Sequence, residues 1–134
     1  MSAAVAILRK LLQDGLGNFG QPPPQIYVGA LPANWQLPHL QLQQVSARPR
    51  SRISPTQSTQ NTRSRVQVDV RAQDYPQLHA LESALHALLH GYYGTVLQWH
   101  VSSIALDNTG ADQGGGGAAF SGRASDFFIN YGDA

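Results

Sequence analysis

The sequence has no cysteine, one methionine, one lysine and one glutamate among its 134 residues. Without cysteine there is no disulfide framework, no thiolate metal site and no cysteine nucleophile. Secretion and redox chemistry gain no support, and a reducing cytoplasm fits. With Glu82 as the one glutamate, no spacing brings two carboxylates together for acid and base work. Charge is scarce as well. Asp, Glu, Lys and Arg make up 13% of the chain, against roughly 25% in an average soluble domain, which points to surface hidden in an assembly.

Nine basic and eight acidic residues leave a net charge of +1, so bulk charge favours neither nucleic acid nor an anionic membrane. No run approaches the roughly 20 apolar residues of a membrane span. The short apolar stretch at 3–8 precedes Arg9 and Lys10, where a signal peptide would place its basic residues in front of a longer apolar run. The expectation is a soluble intracellular protein with no membrane contact. At 42% hydrophobic content, residues 1–134 suit a single domain with one core, and a multidomain enzyme is excluded.

Hydrophobic periodicity places the elements. Ala4, Val5, Leu8, Leu11, Leu12 and Leu16 form one stripe, which predicts an N-terminal helix within 1–17, with Gly15 and Gly17 as stop signals. A short extended piece at 26–28 and a strand at 40–46 follow. Residues 47–64 then change character: Arg48, Arg50, Arg52 and Arg63 stand among Ser, Thr, Gln and Pro, with Ile53 the one large apolar residue. This reads as a long flexible arm. Val66, Val68 and Val70 alternate with Arg65, Gln67, Asp69 and Arg71 as a half-buried strand.

Asp74-Tyr75-Pro76 is a helix start, and Leu78, Leu81, Leu85, Leu88 and Leu89 make the apolar arc of a second helix ending near Leu89. A strand at 95–106, a glycine-rich loop at 107–119 and a last strand at 120–131 complete the chain. The fold class expected is α+β: a small, mainly antiparallel four-stranded sheet packed by two helices, with the arm outside it.

Few residues offer chemistry. His79, Glu82, His86 and His90 share one side of the second helix, where histidines a turn apart can hold a metal. The sequence shows no His-Glu-x-x-His order, and a solvated or interfacial flank beside the leucine arc is the plainer reading. Gly114 to Gly117 precede a strand and no Gly-Lys-Ser/Thr follows, so they read as a hairpin loop, not a phosphate cradle. Asp107, Asn108 and Asp112 lack the spacing of a calcium loop. Without a Gly-x-Ser-x-Gly elbow, Ser, His and Asp carry no hydrolase signal. No catalytic, cofactor or metal residue is assigned, and the expectation is a protein that is not an enzyme and needs no cofactor.

The arginines are the one charged feature above background. Arg48, Arg50, Arg52, Arg63 and Arg65 fall in a stretch free of Asp and Glu, with Arg71 beyond on the same strand. They form the candidate interface, facing an acidic protein surface, DNA phosphates, or solvent alone. Trp35, Trp99, Tyr92, Tyr93, Phe127 and Phe128 read as core or inter-subunit packing.

These residues also suggest a family. The stretch Arg63-Ser64-Arg65-Val66-Gln67-Val68-Asp69-Val70, the helix from Tyr75, the Gly94-Thr95 turn and the final Asp126-Phe127-Phe128-Ile129-Asn130-Tyr131 resemble the tail completion, or tail terminator, proteins of long-tailed bacteriophages. The resemblance covers roughly residues 38–131. It implies a small α+β virion subunit that forms a ring, commonly a hexamer, at the head-proximal end of the tail tube. Such a ring ends tube polymerisation and meets the head-tail connector, with the major tail tube protein as its other partner. DNA passes through its lumen without specific binding. The location implied is the tail neck of the virion, after assembly in the host cytoplasm. The glycine run and the long arginine arm depart from the usual pattern.

Overall fold

The structure is a computed structural model that describes residues 2–20, 23–49, 61–114 and 120–133. The element order is α1 (Ala3–Leu16), β1 (Gln25–Val28), β2 (His39–Pro49), β3 (Thr62–Ala72), α2 (Tyr75–Leu89), β4 (Gly94–Val96), β5 (Trp99–Thr109), β6 (Gln113–Gly114) and β7 (Ser121–Asp133). Both helices begin where the sequence places a cap. The Val5 amide donates to Ser2 Oγ at 3.3 Å, and the Gln77 amide to Asp74 Oδ1 at 2.8 Å. The Gln77 side chain reaches back past the cap, its Oε1 accepting from the Gln73 amide at 2.7 Å. Gly15 is no stop signal, because α1 runs through it. A Cβ there would meet Leu88 at 2.6 Å, so this glycine lets α1 and α2 approach closely.

The expected four-stranded antiparallel sheet is not what forms. The strands run β1-β2-β3-β7-β5-β4 across a seven-stranded mixed sheet, with β6 added to β7. It is mixed because β1 pairs parallel with β2. The loop between them spans only 29–38, and a cis Leu37-Pro38 bond precedes β2. It has extra strands because residues 95–106 are not one strand: Leu97, at φ 55, and Gln98 turn the chain between β4 and β5. The ends of the expected arm are strand as well. Ala47 pairs with Ser64, Arg48 with Arg63 and Pro49 with Thr62, while 50–60 lie outside the described residues. Likewise β5 runs on to Thr109, and 115–119 lie outside the described residues.

One core lies between the helices and one face of the sheet. Ile7, Leu8 and Leu12 of α1 and Leu78, Leu81, Leu85 and Leu89 of α2 pack on Leu40, Leu42, Val66, Val68, Val70, Ile104, Phe127 and Ile129. Alternation then fixes the other face, which carries Arg63, Arg65, Asp69 and Arg71 of β3 beside Asp126, Phe128 and Asn130 of β7.

Candidate functional site

The helix-free face of the sheet gathers three of the six arginines singled out from the sequence. Arg63, Arg65 and Arg71 are alternate residues of β3, in the middle of the sheet, and so share that face. Arg48 belongs to β2 and is the register partner of Arg63. Arg50 and Arg52 lie outside the described residues.

The three arginines have different surroundings. Arg65 Nη2 donates to Asp126 Oδ2 at 2.7 Å and lies 3.3 Å from Asp107 Oδ2. The hydrogen bond to Asp126 and its charge hold the guanidinium even more firmly protonated than usual. Arg63 lies flat on an aromatic ring, its Cζ 4.0 Å from the Phe128 centroid. Ser46, Arg63, Arg65 and Phe128 line a depression of ≈ 260 Å³ on this face. Arg71 lies 4.7 Å over Phe120, at the opposite end of β3.

That opposite end is closed by aromatic packing. His39 pairs across the sheet with Arg71 and is fully buried. Its ring lies 5.3 Å from both Tyr27 and Trp35 in edge contacts, and Trp35 in turn meets Phe120. Nδ1 is 2.9 Å from the Gln36 carbonyl, which makes it the protonated nitrogen, while Nε2 is buried with no partner among the described residues. Burial lowers the His39 pKa; the Gln36 contact opposes this. Among the described residues, the open part of the face is therefore the end near Arg63 and Phe128.

The helix-two stripe is used within the chain. His86 Nε2 is 3.1 Å from Ser125 Oγ, His90 Nδ1 accepts the Leu106 amide at 3.1 Å, and Glu82 Oε1 accepts from Arg123 Nη1 at 2.7 Å. Burial also lowers the His86 pKa, with Glu82 opposing. Among the described residues, no group of three His, Asp or Glu is placed to hold a metal. The Ser125–His86 contact has the residue types of a nucleophile and its base. However, Ser125 is 1% exposed under α2, so no substrate reaches its hydroxyl and the contact joins helix to strand.

Arg123 is the residue that sequence reasoning passed over. Besides Glu82 it binds Asp112 through Nε at 2.9 Å and through Nη2, and Tyr75 Oη at 3.1 Å. It thus ties β7 to α2 and to the segment before β6. Its pKa is raised, first by Asp112 and then by Tyr75. In the sequence it stands in the last strand, in alternation with Ser125, Phe127, Ile129 and Tyr131. Trp99 packs on Tyr131 at 5.6 Å, Phe127 is core, and Tyr93 is 78% exposed. No described helix is long and apolar enough to cross a membrane.

No protein-family model matches the sequence, and no curated protein matches it. Among solved structures, it is similar to a chain in the virion of a native gene transfer agent (GTA) particle, with TM-score 0.61 and 11% identity. The superposition covers 98% of this chain and 99% of that one, so the two share a fold from end to end.

Proposed function

We propose that this chain is a structural virion protein, a subunit of a ring at the head-proximal end of a phage tail tube. In this reading the ring ends tube polymerisation and joins the tail to the head connector, and the subunit is not an enzyme. The observation that carries it is the end-to-end fold likeness to a virion chain. The residues of the sequence resemblance support it, since they lie in β3, α2, β4 and β7 of that shared fold. Charge scarcity supports it too, because surface that is covered in an assembly needs few charges.

In the same reading the arginines meet the partner. Arg63, over Phe128 at the open end of the helix-free face, is the centre of that contact. Arg65, held by Asp126, stands beside it on the same face.

The test is light scattering after size-exclusion chromatography, on the purified chain alone and with tail-tube subunits. A closed oligomer, or a stable complex formed only with tube protein, is the expected result. A strict monomer indifferent to tube subunits would overturn the reading.

A further inference from the structure

The sequence holds eight Asp and Glu side chains, and all but Asp133 meet a partner within the chain. Asp107 and Asp126 hold Arg65, while Asp112 and Glu82 hold Arg123. Asp14 pairs with Lys10, Asp74 caps α2, and Asp69 accepts from Gln67 Nε2 at 3.5 Å. The side chain of Asp133 lies outside the described residues. Arg63 stands apart from this pairing. Among the described residues, no carboxylate or hydrogen-bond acceptor reaches its guanidinium.

What Arg63 has instead is a fixed position. Its Cζ lies 4.0 Å over the Phe128 ring, and the Arg65 Cζ lies 5.7 Å from the same centroid. Stacking on a ring holds the guanidinium flat, so its N–H donors keep one orientation. Arg65, the register partner of both Ser46 and Phe128, is tied down by its two aspartates. These four side chains line the depression of ≈ 260 Å³ on the helix-free face. That is below the roughly 300 Å³ at which sites for small organic ligands begin, a size that suits one inserted side chain.

A guanidinium presents parallel N–H groups that match the two oxygens of a carboxylate. Duplex DNA fits less well, because its binding draws on many phosphates along a track. Here Arg63, Arg65 and Arg71 share the face with Asp69, Asp107 and Asp126. A phosphate track that continued from Arg63 along β3 would meet Asp107 and Asp126 next. A second copy of this chain has little to offer either, since its carboxylates are already engaged. We propose that the depression seats one Asp or Glu side chain of a different virion protein, its carboxylate gripped by Arg63 and its stem against Phe128. This rests on the reading of the chain as a ring subunit that meets the tail tube and the connector.

Lys10 is the one lysine of the chain, which makes the test specific. In the full chain, Lys10→Arg combined with Arg63→Lys puts the single side-chain amine at the depression. Carbodiimide coupling, which adds no linker, should then join the chain to tube or connector protein through one Asp or Glu, located by mass spectrometry. Lys10→Arg alone should give no adduct at that residue. Arg63→Lys keeps the charge but loses the flat pair of donors, so it should weaken the complex about tenfold or more, as Arg63→Gln should. Neither change should alter the melting temperature. Coupling to many acidic residues, or to none, would overturn the proposal. A complex that Arg63→Gln or Arg63→Lys leaves at full affinity would also overturn it, while the ring reading stands. Equal loss of self-association in Arg63→Gln and Asp133→Asn would overturn it in favour of a second copy. Duplex DNA binding lowered about tenfold by Arg63→Gln would overturn it in favour of phosphate. A wild-type monomer that binds neither tube nor connector protein would remove both readings.

Discussion

Arg123 Nη1 donates to Glu82 Oε1 across 2.7 Å, joining the last strand to a helix 41 residues earlier. The side chain of Glu82 is 9% exposed and that of Arg123 17%, and the second carboxylate oxygen is buried with no partner among the described residues. Removing the arginine leaves a buried carboxylate unmatched. Arg123→Ala should therefore cost about 3 kcal/mol of stability, whereas Glu82→Gln, which keeps an acceptor and removes the charge, should cost about 1 kcal/mol. Urea unfolding of the two variants measures this. Equal and small losses would show that the pair adds nothing.

Two histidines predict a pH response. His39 and His86 are both held below the usual 6.5 by burial. As pH falls through 6.5, the unfolded chain takes up protons that the folded chain refuses, so the unfolded state gains. Stability should thus be full above the unfolded value and decline from about pH 6.5 downward. Melting temperature should be lower at pH 5.5 than at 7.5, and His39→Gln should flatten the decline. NMR midpoints for both rings at or above 6.5 would contradict it.

Much of the fold was legible, for local reasons. The stripe of α1, the Asp74 cap of α2 and the valines of β3 each declare their element within a few residues. The pairing of Arg48 with Arg63 was not legible. In that part of the hairpin Ser64 is buried but polar and its register partner Ala47 is small and exposed, so no apolar alternation shows, and the bulge between Gln44 and Ser46 breaks the period. The parallel β1–β2 pair left no sequence mark, since four residues carry little pattern. At the candidate site, Arg63, Arg65 and Arg71 could be placed on one face by counting in twos. Their different partners could not, because Asp107, Asp126, Phe120 and Phe128 arrive from strands 42 or more residues away.

Leu97 stands at φ 55, a left-handed conformation that a branched residue rarely adopts, and its side chain is 57% exposed. It borders a shallow depression with Ala6, Arg9, Lys10 and Gln13 of α1 and is not among the buried core residues described. Leu97→Asn, which tolerates this conformation, should stabilise the isolated subunit by about 1 kcal/mol. A monomer that melts earlier would show that Leu97 has a packing role in the fold itself.

Arg63 and Arg65 separate binding from folding. Both lie on the helix-free face, yet Arg65 touches two carboxylates while Arg63 is exposed over a ring. Arg65→Ala leaves Asp107 and Asp126 facing each other uncompensated, so it should lower the melting temperature. Arg63→Glu removes a cation–π contact at the surface and reverses a charge, which the fold should tolerate. If this end of the face meets an acidic surface on the tube or connector, Arg63→Glu should weaken that complex by tenfold or more with little change in melting. The wild-type affinity should also fall as salt screens the contact. Affinity unchanged by Arg63→Glu, measured with tube subunits and with connector protein, would move the interface off this face.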